Sequence, residues 1–137
     1  VTGAERLFGS WRLRKCQIEF VETRQRIDLY GARASGRLIF GRDQRMMVLL
    51  IDPERQAAGD TDALMAYSGQ FRIEGEDRFV TDVDIAWNAE WLGGQPRFFS
   101  IRDDQLEIST PRQVHPAYPD REVWSHIRWE REEAIAA

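Results

Sequence analysis

Leu7-Phe8-Gly9-Ser10-Trp11-Arg12-Leu13 near the start and Ile127-Arg128-Trp129-Glu130-Arg131 near the finish decide how this chain is read. In both, apolar and polar residues alternate, the pattern of a strand with one face on a core. Trp11 and Leu13 share one face and Arg12 takes the other; Ile127 and Trp129 stand opposite Arg128. A chain that opens on Gly-x-Trp and closes on an aromatic-plus-arginine strand reads as a sheet rolled until its first and last strands meet. Trp11 and Arg131 are then expected to form a structural pair. A guanidinium lies flat on an indole and still donates to the carbonyls of the terminal strands.

Inward from these ends the chain reads as short strands. The first runs from about Ser10 to Phe20. Its apolar set switches from Trp11 and Leu13 to Cys16, Ile18 and Phe20, and a bulge near Lys15 accounts for the change of parity. Residues 21–35 are mostly polar and read as a loop, against which Ile27, Leu29 and Tyr30 stand out. Arg37 to Phe40 and Arg45 to Ile51 form a hairpin across Gly41-Arg42-Asp43-Gln44. Met46 to Ile51 is apolar on both parities, which predicts a strand covered on both faces, one of them by a helix or a second subunit. Asp60 to Tyr67 carries the helix signal, capped by Asp60 or Thr61. Residues 1–8 suggest a short helical lead-in, with Thr2 as N-cap and Glu5 as its capping-box partner. Further strands are expected at Tyr67 to Ile73, Arg78 to Trp87, Pro96 to Ile101, Gln105 to Thr110 and Glu122 to Arg131. In the second of these, Phe79, Thr81, Val83, Ile85 and Trp87 share a face opposite Asp82 and Asp84. Residues 88–95 and the Pro-rich stretch 111–120 read as loops, and residues 132–137 as a frayed tail. Consecutive strands on short connections predict an all-β fold, an eight-stranded antiparallel up-and-down barrel with one or two short helices, in a single domain over residues 1–137.

Composition bounds the function. A chain of 137 residues and 16.0 kDa buries enough surface to fold without disulfide or metal. Five Trp, seven Phe and three Tyr supply large side chains for a core or a pocket wall. A net charge of -4 argues against nucleic acid and against an anionic membrane surface. The single cysteine, Cys16, allows no internal disulfide, which fits a reducing, cytoplasmic setting and a buried structural thiol. No apolar run reaches membrane-spanning length and no signal-peptide pattern is visible. The sequence begins at Val1, so processing at that end stays open.

These residues resemble a bacterial lipocalin-like domain family within the wider calycin-type barrels. The resemblance runs through the opening Gly-x-Trp segment, Gly36-Arg37-Leu38-Ile39-Phe40 with Met46, Arg55, and Ala66-Tyr67-Ser68-Gly69-Gln70-Phe71. It continues through Trp91-Leu92-Gly93, Arg97-Phe98-Phe99, the Leu106 strand and Trp129-Glu130-Arg131. It implies a small antiparallel barrel and little about function. Similar proteins often carry a histidine where this chain has Thr81-Asp82-Val83-Asp84, so a role for that imidazole does not transfer.

An eight-stranded barrel can hold one small ligand, and a binding role predicts a closed, mostly apolar cavity of several hundred Å³ in order of magnitude. Tyr67, Phe71, Trp87 and Phe99 are expected to line it, with Asp82, Arg97 and His126 as polar contacts. Arg97 shares parity with Phe99; if that parity faces inward, the cation needs Asp82, Asp84, Glu130 or a ligand carboxylate as partner, and otherwise it points to solvent. Asp82 and Asp84 project the same way and are either an acid–base pair or the wet face of a half-buried strand. His115, before Pro116, reads as solvated. Two histidines do not make a haem or metal site, and no cofactor is expected. Three readings result. The first is a barrel binding a small apolar or aromatic molecule. The second is a cyclase or isomerase moving protons through Asp82, Asp84 or His126. The third is a filled barrel that self-associates, as a homodimer, through Met46 to Ile51. Fold does not choose among them.

Overall fold

The computed structural model describes residues 3–115 and 118–132. The expected cap at Thr2 and the tail beyond residue 132 lie outside the described residues. The strands are β1 (Gly9–Phe20), β2 (Arg26–Asp28), β3 (Ser35–Phe40), β4 (Arg45–Ile51), β5 (Leu64–Glu74), β6 (Arg78–Ala86), β7 (Gly93–Arg102), β8 (Gln105–Ser109), β9 (Gln113–Val114) and β10 (Glu122–Arg131). Two short helices join them, α1 (Gly3–Leu7) and α2 (Pro53–Ala57). The sheet order is β2-β1-β3-β4-β5-β6-β7-β8-β10-β9, and β1 also pairs with β10. That pairing closes eight long antiparallel strands into a barrel, with β2 and β9 as short additions beside it.

The seam follows the two segments that opened the reading. Trp11 pairs with Arg131 and Leu13 with Trp129; the register then slips, so that Lys15 meets Arg128. The expected bulge is therefore real. It returns Cys16, Ile18 and Phe20 to the inner face. Helix α1 lies across the end of the barrel where Trp11 meets Arg131. The Arg131 guanidinium sits 4.1 Å from the centroid of the Trp11 ring. It donates to the carbonyls of Phe8 at 2.7 Å and Arg6 at 2.8 Å. Trp11 Nε1 donates to the Leu7 carbonyl at 2.9 Å. Gly9 makes this approach possible: its φ is +120°, and a Cβ there would press on the Arg131 guanidinium.

Trp11, Trp129, Phe40, Phe79, Leu38 and Leu106 are fully buried in this end. Phe40 meets Phe71 and Phe79 edge to face, with centroids 4.9 and 5.5 Å apart. Such contacts add about 0.5–1.5 kcal/mol each beyond area burial. A smaller cluster of Ile18, Phe20 and Val123, with Ile27, Leu29 and Tyr118 against it, packs the other end of the β1–β10 seam.

Three sequence expectations need correction. The helix stands at Pro53–Ala57, not at Asp60 to Tyr67. Asp52 caps it by accepting from the amides of Glu54 and Arg55, and Pro53 supplies the pre-set φ of a first helical residue. Asp60 instead forms a turn, accepting from the Asp62 amide, and Leu64 already pairs with Ile51. The pairing partner on β4 overrides the local helical pattern. The loop over residues 21–35 contains β2, where Ile27 pairs with Ile18. Finally, β4 is not covered on both faces within the chain. Met46, Val48 and Leu50 are buried, while Met47 is 57% and Leu49 48% exposed.

A second bulge escaped the sequence reading. Ser68 pairs with Ile85 but Gly69 pairs with Val83, so Asp84 is an extra residue on β6. It turns Ile85 and Trp87 to the outside, against the parity that had grouped them with Phe79 and Thr81.

Candidate functional site

Register fixes the inner wall of β6 and β7. Phe79 pairs with Arg97 and Thr81 with Gln95, so these four share one face, and Phe99 continues it. Arg97 therefore has the inward parity. None of Asp82, Asp84 and Glu130 supplies its partner; its guanidinium donates to the carbonyl of Pro96 at 2.7 Å. One row away Thr81 is 1% exposed, and its Oγ1 is buried without a hydrogen-bond partner among the described residues. Trp129 Nε1 is likewise buried and unpartnered. An unsatisfied buried polar atom costs about 1–3 kcal/mol, so such atoms are rare and informative.

Away from α1 the wall is less buried: Leu64, Met65 and Tyr67 on β5 are each half-buried. Tyr67 is half-buried and meets Trp91 with ring centroids 6.4 Å apart. Gln95 Nε2 donates to the Trp91 carbonyl at 3.1 Å, which ties the short 3-10 turn Ala89–Trp91 to β7. Tyr30 and Cys16 neighbour each other on the β1 side of the barrel, where the Leu29 amide donates to the Cys16 carbonyl. Burial, with a smaller contribution from Asp28, pushes the Cys16 thiol up to about 12. Burial followed by the nearby Cys16 raises the Tyr30 phenol to about 12. Both groups are neutral at neutral pH, and the thiol is inert.

The residues singled out from the sequence divide between the two faces. Phe71, Phe99, Tyr67 and Arg97 belong to the inner face. Phe71 and Phe99 are only 2% and 5% exposed and form part of the aromatic packing. Asp82, Trp87 and His126 do not join them. Asp82 projects outward and pairs with Arg72 at 2.8 Å. Asp84 pairs with Arg45 at 2.6 Å, and that guanidinium, by hydrogen bond first and then by charge, holds its carboxyl below the usual range. They belong to separate surface ion pairs, not to a shared acid–base site. Trp87 is 57% exposed on the outside.

His126 lies on the outer wall, where β8, β10 and β1 run side by side. Its Nε2 is 3.0 Å from Glu19 Oε1 and its Nδ1 3.1 Å from Ser109 Oγ. Glu19 is 6% exposed although it faces outward, because Arg24 and Arg26 fold over it at 3.3 and 3.1 Å. Burial opposes its charge, but the hydrogen bonds from His126 and Arg24 and the charge of Arg26 outweigh it and lower its pKa. Neither Glu19 nor Ser109 carries a motif; they meet His126 through strand pairing across distant parts of the chain. His115 is half-buried rather than solvated, and burial lowers its pKa.

Two concavities are prominent among the described residues, and both are on the outer surface. An open groove of about 240 Å³ lies between the α2–β5 connection and Trp87, lined by Gln56, Asp60, Thr61, Ala63 and Leu64. A recess of about 40 Å³ lies beside His126, lined by Lys15, Gln17, Arg26, Glu107 and Arg128. Among the described residues no cluster of three or more His, Cys, Asp or Glu side chains is arranged to hold a metal ion. No helix among them is long and apolar enough to cross a membrane.

The closed antiparallel architecture and its capped end define a small lipocalin-type barrel. The lipocalin-like domain family model matches residues 8–132, and the chain belongs to that family. Among solved structures it is similar to a redesigned β-barrel, with 12% identity, 96% of each chain covered and a TM-score of 0.50, which speaks to the fold alone. No functionally curated protein matches the sequence.

Proposed function

We propose that this lipocalin-like barrel binds a small apolar or aromatic carboxylic acid on its inner wall. One observation carries the reading: Arg97 has inward parity without a carboxylate partner, one row from the unpartnered Thr81 hydroxyl. A ligand carboxylate can accept from both, and charge-assisted bonds of this kind are short and strong. Further along the wall Tyr67 meets Trp91 and adds apolar surface. Phe79, the cross-strand partner of Arg97, and the aromatic rings packed on it bound this wall on the α1 side. The buried thiol of Cys16 is in keeping with a cytoplasmic setting.

Calorimetric titration with aromatic and fatty acids, beside the matching alcohols and amides, tests this reading. The acids bind, and the neutral analogues bind at least about tenfold more weakly, since a hydrogen bond to a charged group is worth about 1.5–3 kcal/mol. Arg97→Met abolishes the difference. Equal affinity for acids and alcohols, or an unchanged Arg97→Met variant, refutes the proposal.

A second reading is favoured by the outer face of β3 to β6. Ile39, Met47, Leu49, Ile85 and Trp87 are 45–66% exposed there. Met47 pairs with Ile39 and with Ser68, which pairs in turn with Ile85, so the apolar side chains span neighbouring strands. The pairs Arg45–Asp84 and Arg72–Asp82 border this surface with both signs of charge, which suits a two-fold pairing with a second copy. Light scattering then gives a dimer for the native chain and a monomer for Met47→Asp. A native chain that is monomeric at high concentration rejects this reading.

A further inference from the structure

Outside the ligand wall, the grouping of Ser109, His126 and Glu19 has the layout of an activated hydroxyl. Ser109 and His126 are direct cross-strand partners on β8 and β10, and Glu19 reaches the imidazole from β1. The carboxylate settles the tautomer. Glu19 is an acceptor, so Nε2 carries the proton and donates to it, which leaves the lone pair of Nδ1 for the Ser109 hydroxyl. Glu19 is itself held in place and in its ionised form by Arg24 and Arg26. Nucleophile, base and orienting group are thus linked in series, which is the arrangement that activates a serine. Most surface histidines lack a buried carboxylate behind them; this one has a carboxylate that three donors converge upon.

A small recess adjoins His126, lined also by Gln17, Arg26 and Glu107; Ser109 does not line it. Lys15 and Arg128 stand on its rim. Arg128 is held only loosely, 3.9 Å from Glu107. Arg128 is therefore available to an oxygen that gains negative charge beside the recess. The recess, about 40 Å³, has room for little more than a water molecule or a comparably small group.

We propose that Ser109, His126 and Glu19 form an acyl-transfer site on the outer wall that hydrolyses small carboxylic esters. Ser109 Oγ bonds to the ester carbonyl carbon while its proton passes to Nδ1 of His126. The carbonyl electron pair moves onto oxygen. Collapse breaks the bond to the alkoxy group, which leaves as the alcohol with the proton from Nδ1. Water then attacks the acyl carbon and gives its proton to Nδ1; the carboxylic acid departs and Oγ recovers its proton. The net change is ester plus water to acid plus alcohol. Glu19 is a positioning residue here, since it acts through the imidazole.

The test is labelling of the intact chain with a fluorophosphonate probe, followed by peptide mapping, together with hydrolysis of p-nitrophenyl acetate. The site predicts one adduct, on Ser109, and its loss in Ser109→Ala and His126→Ala. Ester turnover falls about 100-fold or more in Ser109→Ala. Glu19→Gln retains labelling at a reduced rate, and its rate against pH departs from that of the native chain. Ser100→Ala, on the outer face of β7, labels as the native chain does. Circular dichroism shows that each variant folds. Absence of an adduct on Ser109, an adduct on Lys15 in its place, or ester turnover that persists in Ser109→Ala overturns the proposal.

Discussion

Arg131→Met tests the closure of the barrel at the end that α1 covers. The native guanidinium stacks on Trp11 at 4.1 Å and bonds to the carbonyls of Phe8 and Arg6. Trp11 is 0% exposed, so the cation–π contact is desolvated and worth about 2 kcal/mol. The bond to the half-buried Phe8 carbonyl adds about 1.5 kcal/mol. The bond to Arg6 is open to water and adds little. Methionine recovers part of the loss by covering the indole, which leaves a net destabilisation of about 3 kcal/mol. With a urea slope of about 1.5–2 kcal/mol/M, the unfolding midpoint falls by about 1.5–2 M. Hydrogen exchange supplies the local readout: amides of α1 and the first residues of β1 lose protection first, because Arg131 ties them to the last strand. Arg131→Lys falls between the two, keeping the charge without the planar fork. A loss below about 1 kcal/mol, or unchanged exchange in α1, shows that the pair does not hold this end shut.

Three further outcomes follow from the packing and the ionisation. Gly69→Ala places a Cβ against the backbone carbonyl of Asp82, which cannot yield, and costs at least about 3 kcal/mol in urea unfolding. The folded-state pKa of Glu19 lies below its ordinary 4.5, so its contribution to stability is complete above that value and drains away as pH falls through the folded value. Glu19→Gln flattens the acid limb of a melting-temperature profile. Cys16 works in the opposite sense: its folded-state value, about 12 against 9.0, makes the unfolded chain ionise first, so stability declines as pH rises from 9 toward 12. Cys16→Ala removes that part of the alkaline decline, and the native thiol reacts with a disulfide reagent only at the rate of unfolding.

Much of the fold was legible because alternation and turn chemistry are local. The β3–β4 hairpin, the Lys15 bulge and β10 each left a mark within a few residues of themselves. The misplaced helix shows the limit. Asp52-Pro53 carries a cap signal directly after β4, but the apolar spacing of Leu64, Met65 and Tyr67 suits either period until β4 supplies a partner. The Asp84 bulge left no local sign, so the parity of β6 misassigned Trp87. The candidate sites were less legible still. Arg97 could be placed by parity once a face was assumed, whereas the meeting of Glu19, His126 and Ser109 depends on register between strands far apart in the chain.

The most direct test of the inner-wall assignment is a crystallographic difference map of the chain grown with the tightest-binding acid from the titration panel. The account predicts a carboxylate within hydrogen-bond distance of both Arg97 and Thr81 Oγ1, with the apolar body against Tyr67. Density confined to the outer groove beside Trp87 and Leu64, with Arg97 still on the Pro96 carbonyl, contradicts it.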